Sequence, residues 1–130
     1  MTAKGMTLYE AKHAFTFVVS EDSDGAGYLS RDTFVAEGGV SGVDFLVGEI
    51  FAVVDGKAVK LNPAATDGSE KFAGISGYRA RVPAGQTLEF VGINRHATVR
   101  GSDLTWPDGI TQAEKTEVIA QMDAALIKIR

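Results

Sequence analysis

The amino-acid sequence predicts a mainly β chain with one C-terminal α-helix, an α+β domain whose strands form a small barrel-like or sandwich-like body. Fifteen glycines in 130 residues indicate many tight turns, which favour short strands over helices. Most segments before Thr111 alternate apolar and polar residues, as half-buried strands do. After Thr111 the apolar residues recur at helical spacing instead. The length is that of a single domain.

The chain divides into a predicted N-terminal arm, residues 1–20, and a predicted single domain, residues 21–130. Residues 1–12 have mixed composition and weak periodicity, which is typical of a mobile arm. From His13 to Ser20 apolar side chains stand at every second position, and this predicts a first strand. The apolar positions are Phe15, Phe17 and Val19.

Asp55-Gly56 is the strongest hairpin signal in the chain. The residues before it, 43–54, are nearly continuously apolar, which predicts one strand covered on both faces. Folding back across the turn fixes the register. The predicted pairs are Val54 with Lys57, Val53 with Ala58, Ala52 with Val59, Phe51 with Lys60 and Ile50 with Leu61.

Shorter alternating runs, separated by turn residues, predict the remaining strands. These runs cover residues 28–35, 72–82, 86–94 and 95–100. Gly74 and Gly77 stand inside one of them, and a glycine in a strand predicts a bulge or a close approach by another group.

The C-terminal helix is predicted over residues 112–124. Thr111 and Glu114 have the spacing of a capping box, in which each side chain binds the backbone N–H of the other residue. The predicted apolar stripe consists of Val118, Ile119, Met122, Ala125 and Leu126. A short terminal strand follows, because Ile127 and Ile129 alternate with charged residues.

Composition argues against several classes of function. A formal charge of −4 without a basic block predicts no nucleic-acid surface. There is no cysteine for a disulfide framework or a thiolate metal site. No apolar run approaches the length of a membrane span. We expect a soluble protein, made in the cytoplasm, without a membrane partner and without a cofactor.

No constellation of residues predicts catalysis or metal binding. The two histidines, His13 and His96, lie on predicted strands without a nucleophile at a strand-to-helix elbow. Residues 22–25 resemble the opening of a calcium loop, but the later ligands are missing. We therefore predict no catalytic and no metal-ligating residues, and a binding or structural module rather than an enzyme.

Several motifs together resemble the lambdoid phage head decoration proteins. The C-terminal part, Leu104-Thr105-Trp106-Pro107, a helix, then Ile-x-Ile-Arg, is similar to the end of that family. The likeness extends from about His13 to the C-terminus. The upstream landmarks, in order, are Leu29-Ser30-Arg31-Asp32-Thr33, Asp67-Gly68-Ser69-Glu70 and Asn94-Arg95.

The resemblance implies a structural protein that stabilises a phage head against the pressure of its DNA. Members of the family form trimers and bind the outer surface of the expanded capsid at three-fold and quasi-three-fold positions. It implies two partners, further copies of this chain and the major capsid protein. It also implies that the N-terminal segment becomes ordered on the capsid and adds to its sheet. This chain is longer at its N-terminus than the family's short form.

Two groups of candidate site residues follow. The candidate capsid contacts are Phe15, Phe17, Val19, Ser30 and Arg31. The candidate anchors, either in the core or at a trimer interface, are Phe51, Leu104, Trp106 and Pro107. Two alternatives stay open: an enzyme with an intersubunit site, and a virion-surface glycan-binding module. The first would join Arg95, His96 and Asp103, and the second would expose Tyr28 or Trp106.

Overall fold

A computed structural model of the chain describes residues 13–21 and 29–130. As predicted, the described residues are mainly β with one C-terminal α-helix. A 3-10 turn at Gly101–Asp103 precedes the helix, α1 (Gln112–Ala124). The strands are β1 (Val18–Glu21), β2 (Arg31–Glu37), β3 (Val43–Phe45), β4 (Ile50–Val54), β5 (Lys57–Lys60), β6 (Gly74–Ser76), β7 (Ala80–Val82), β8 (Thr87–Ile93), β9 (Ala97–Val99) and β10 (Ile127–Ile129).

The strands of the described residues form three sheets. An antiparallel five-stranded sheet has the order β2-β8-β6-β4-β5, and its edge strands β2 and β5 approach each other without pairing. A three-stranded sheet has the order β1-β9-β10, in which β10 runs parallel to β9. β3 and β7 form the third sheet. The five-stranded sheet is therefore curled, but in the described part of the chain no sheet closes into a barrel.

The five-stranded sheet separates two apolar clusters. The helix-side cluster lies between this sheet, the three-stranded sheet and α1; its buried members include Phe17, Ile50, Ile75, Ile93, Val99, Val118, Met122 and Ile127. The aromatic cluster lies on the other face, under β3 and β7; it contains Phe34, Phe45, Phe51 and Phe90 with Ala36, Ala58, Ala80 and Val82. Successive residues of β4 enter opposite clusters, as the prediction of a strand covered on both faces requires.

Two glycines allow the aromatic rings to lie directly on the sheet. The rings of Phe34 and Phe51 meet edge to face, with centroids 4.8 Å apart. A Cβ atom at Gly92 would lie 2.9 Å from the carbonyl oxygen of Ile75 and 3.3 Å from both rings. A Cβ atom at Gly74 would lie 2.8 Å from the ring of Phe51. The predicted close approach at Gly74 is confirmed.

The hairpin prediction is confirmed in its register. Four of the five predicted pairs form, and β5 ends at Lys60, before the fifth. Asp55 and Gly56 both have positive φ, 52° and 78°, as a tight two-residue hairpin turn demands.

The prediction of one strand over residues 43–54 is wrong, because the chain turns between β3 and β4 and changes sheets. Gly48 has a φ of 83°, and a Cβ atom there would lie 2.4 Å from the carbonyl oxygen of Asp103. Glu49 stabilises the turn, since its carboxylate accepts hydrogen bonds from the Leu46 N–H at 2.9 Å and from Lys60 Nζ at 2.6 Å. An apolar run does not reveal a turn of this kind. Residues 72–82 likewise form two strands in different sheets, β6 and β7.

The predicted first strand, His13 to Ser20, is correct only at its end. Residues 14–17 form a turn, and the strand begins at Val18. Phe15 has a φ of 57°, which no strand residue adopts. Phe17 is buried in the helix-side cluster, and Phe15 packs against the same cluster with its ring centroid 6.3 Å from that of Phe17. Residues 1–12 of the predicted arm lie outside the described residues.

The predicted helix bounds and capping box are confirmed. The Glu114 N–H donates to Thr111 Oγ1 at 3.1 Å, and the Thr111 N–H donates to Glu114 Oε1 at 2.9 Å. Val118 and Met122 are buried, but Ile119 and Leu126 of the predicted stripe are exposed. Leu126 follows the helix with a φ of 64°, so it does not continue the helical face. In the described part of the chain no helix is long and apolar enough to cross a membrane.

We expect Gly92→Ala to lower the free energy of unfolding by about 1–3 kcal/mol, the usual cost of an overpacked core. The added methyl group would press on the fixed carbonyl of Ile75 and on two aromatic rings. Urea denaturation followed by circular dichroism measures the change. Glu89→Ala, at an exposed position of the same strand, is the control and should change stability little. Equal stability of the two variants would contradict this account of the glycine.

Candidate functional site

Two of the predicted site residues, Phe15 and Arg31, contact each other. The Arg31 guanidinium lies over the Phe15 ring, 3.8 Å from its centroid, in a cation–π contact. Arg31 Nε also donates to both carboxylate oxygens of Glu21, at 3.1 Å and 3.2 Å. We call the group formed by Phe15, Glu21, Arg31, Gly77 and Tyr78 the N-terminal clasp.

The clasp holds the backbone of Phe15 as well as its ring. The Phe15 N–H donates to the carbonyl oxygen of Gly77 at 2.8 Å. The ring covers Gly77 so closely that a Cβ atom there would lie 2.2 Å from two ring carbons. Tyr78 meets the ring edge to face at 5.1 Å. Phe15 therefore keeps a positive φ only because its neighbours fix it.

The Arg31–Glu21 ion pair is largely shielded from water. The exposed fraction of the Glu21 side chain is 5%, and that of Arg31 is 28%. Removal of one partner from such a pair strongly destabilises the fold, because the other charge is then left unpaired. Sequence reasoning missed this pair, because Glu21 and Arg31 are ten residues apart and no local pattern joins them.

The other predicted capsid contacts lie in different environments. Phe17 is fully buried in the helix-side cluster. Ser30 is also fully buried, and its Oγ has no hydrogen-bond partner among the described residues. Val19 is 40% exposed on β1, an edge strand of its sheet.

The four predicted anchors also differ in how deeply they are buried. Phe51 is completely buried in the aromatic cluster, and Leu104 is buried in the helix-side cluster. Trp106 and Pro107 are half-buried. The Trp106 ring packs against the helix-side cluster, and Lys115 Nζ lies over the ring, 5.2 Å from its centroid. Phe51 and Leu104 are core residues, whereas Trp106 keeps an exposed portion.

A charged network crosses the sheet formed by β3 and β7. Arg79 donates two hydrogen bonds to the Asp44 carboxylate, at 2.7 Å and 3.3 Å. Arg81 approaches the same carboxylate at 3.8 Å, and Lys60 Nζ donates to the Asp44 carbonyl oxygen. The hydrogen bonds from Arg79 hold the pKa of Asp44 below its usual value; partial burial opposes this, and the charges of Arg79, Arg81 and Lys60 add to it. The arrangement is a structural tie between two strands.

The three residues of the hypothetical intersubunit active site make separate contacts within the chain. Arg95 contacts Asp32 at 3.4 Å, and Asp103 contacts Arg100 at 3.0 Å. His96 lines a shallow depression with Glu21, Leu126 and Lys128. Across residues 13–21 and 29–130, no group of three or more histidines and carboxylates is placed to hold a metal ion.

Comparison with known proteins identifies one family. The family model described as bacteriophage lambda head decoration protein D matches residues 7–127. No curated protein matches the chain significantly. The matched residues include the whole N-terminal clasp, both apolar clusters and α1.

We expect Asp44→Asn to lower the melting temperature at pH 7 by a small amount, about 2 °C, because the pair is partly exposed. The folded-state pKa of Asp44 lies below its unfolded value, so the ionised carboxylate stabilises the fold above the unfolded pKa. That stability is lost as the pH falls through the folded pKa. The difference between variant and wild type should therefore shrink below about pH 4. Melting curves from pH 7 to pH 2.5, with Glu89→Gln as control, measure it; a difference independent of pH would contradict the assignment.

Proposed function

The chain belongs to the family of bacteriophage lambda head decoration protein D, and from this membership we propose that it forms a homotrimer on the outer surface of an expanded phage head. The family is a structural one of the virion capsid, which points to a protein that is not an enzyme. The observation that carries the proposal is the family match over residues 7–127, nearly the whole chain.

In this proposal the trimer occupies the three-fold and quasi-three-fold positions of the shell and contacts the major capsid protein. A contact repeated head to tail around a three-fold axis closes into a ring and leaves no unsatisfied surface. By bridging neighbouring capsid subunits, the ring opposes their separation under the pressure of the packaged DNA. The protein itself is made in the cytoplasm of the host bacterium.

Trp106 is the candidate for a contact between subunits. Its ring is half-buried within one chain, so a second subunit can cover the rest. Tryptophan is enriched among the residues that dominate binding at interfaces. The neighbouring Pro107, also half-buried, extends the same surface.

The N-terminal residues are the candidate capsid-binding segment, through addition of a strand to an exposed sheet edge. The boundary of this arm was predicted at residue 20. However, Phe17 is a core residue and β1 pairs with β9, so the separable arm in this proposal is residues 1–12. Three arms on one trimer act together, and such tethering raises avidity by roughly 10²–10⁴.

We expect deletion of residues 1–12 to leave a folded trimer that no longer binds expanded capsids. The reason is that the deletion spares Phe17 and β1 while it removes the proposed binding strand. Co-sedimentation with expanded and unexpanded shells measures binding, and light scattering measures the mass of the free protein.

A variant with residues 2–12 in scrambled order keeps the length and the charge and serves as the control for the sequence of the arm. Deletion of residues 1–20 is the contrasting variant, and it should impair folding because it removes Phe17. Undiminished binding by the shorter truncation would refute the proposed role of the arm.

We expect Trp106→Ala to weaken the trimer, so that light scattering gives a lower average mass on dilution than for wild type. The Trp106 ring packs partly against the core of its own chain and, in this proposal, partly against the neighbouring subunit, and the substitution removes both contacts. Trp106→Phe retains most of that surface and should be closer to wild type. If the mass and the melting temperature both stay unchanged in Trp106→Ala, Trp106 is not an anchor of either kind.

A further inference from the structure

We propose that Arg31 is a positioning residue, which fixes where the N-terminal segment leaves the domain and acts through Phe15 and Glu21 rather than by contact with the capsid. The consequence for capsid binding rests on the proposed function. The consequence for the isolated protein does not, because it concerns only contacts within the described chain.

The first step in the argument is the position of Arg31 between two sheets. Arg31 is the first residue of β2, an edge strand of the five-stranded sheet. Its partners flank β1, an edge strand of the three-stranded sheet: Phe15 precedes β1, and Glu21 ends it. The Arg31 guanidinium therefore connects both ends of the segment 15–21, which contains β1, to the five-stranded sheet.

The second step is the way in which one planar group makes both contacts. The face of the guanidinium lies on the Phe15 ring at 3.8 Å, while its Nε edge binds the Glu21 carboxylate at 3.1 Å and 3.2 Å. Arginine can use its face and its edge at the same time, whereas a lysine ammonium is a point charge. Both contacts lie within the chain, and together they hold the guanidinium in one position.

The third step is the backbone of Phe15. A φ of 57° is uncommon for a bulky residue and persists only where the surroundings hold it. The Gly77 carbonyl oxygen accepts the Phe15 N–H, the ring lies directly against Gly77, and the Arg31 guanidinium lies over the ring. The dihedral angles at Phe15 set the direction in which the chain continues toward its N-terminus.

Loss of the guanidinium should release this arrangement. The Phe15 ring would lose its charged neighbour, and Glu21, whose side chain is 5% exposed, would lose its cation. A segment whose attachment point is mobile loses conformational entropy when it binds. A fixed attachment point reduces this entropic cost. We therefore expect Arg31→Ala to weaken the binding of the full chain to expanded capsids about tenfold or more.

The test combines two measurements on the full-length protein. The chain contains no cysteine, so Ala14→Cys, at an exposed position beside Phe15, accepts a single spin label. The electron paramagnetic resonance line shape reports the mobility of residue 14 in the absence of capsids. Co-sedimentation with expanded capsids then gives the affinity of the unlabelled variants.

Arg81→Ala is the matched control, because it removes another arginine from an ion pair, that with Asp44, which includes no residue of the clasp. We expect Arg31→Ala to increase the mobility of the label and to weaken binding, Arg31→Lys to lie between it and wild type, and Arg81→Ala to change neither. If Arg31→Ala does not fold, Arg31→Lys is assessed by the same two measurements.

Three results would overturn the proposal. An unchanged label with weaker binding would make Arg31 a direct capsid contact. A mobile label with unchanged binding would make the clasp irrelevant to binding. An unchanged label and unchanged binding would leave Arg31 without a positioning role. Failure of wild type to bind expanded capsids would instead refute the proposed function, while the label would still test whether Arg31 fixes residue 14.

Discussion

Burial of both faces of the five-stranded sheet is the constraint on which the rest of the domain depends. β4 sends alternate side chains into the helix-side cluster and the aromatic cluster, so neither face of the sheet can be left in water. The helix and the three-stranded sheet cover one face, and the small sheet of β3 and β7 covers the other. The turn at Gly48 follows from the same need, because β3 must leave the line of β4 to lie over the aromatic rings.

Residues 17–21 near the N-terminus help to cover one face of the five-stranded sheet. Phe17 completes the helix-side cluster, and β1 pairs with β9, so a segment that reads as part of an arm is built into the domain. Immediately before it, Phe15 packs against the same cluster and is held in addition by the clasp. The point where the chain leaves the domain is thus set by a few contacts among Phe15, Glu21, Arg31 and Gly77. If the N-terminal residues bind the capsid as proposed above, such a fixed exit gives that segment a defined starting position.

Three ion pairs connect parts of the fold that are distant in the sequence. Asp44 with Arg79 connects β3 to the residue before β7, and Lys60 connects the end of β5 to the turn at Glu49. Arg31 with Glu21 connects two different sheets. These pairs stabilise the fold of a protein that belongs to a structural family of the phage head.

The sequence by itself determined the elements whose signals are local. The Asp-Gly turn set the hairpin register, the capping box set the start of α1, and the continuous apolar run of β4 required cover on both faces. The order of several weak motifs also sufficed for the family. Tertiary structure alone decided the break at Gly48, the turn at Phe15 and the partner of Arg31. Each of these depends on atoms distant in the sequence: the Asp103 carbonyl beside Gly48, the bare face of Gly77 under Phe15, and the Glu21 carboxylate beside Arg31. Hydrophobic period and residue spacing carry no information about such contacts, because they are created only when separate strands are packed together.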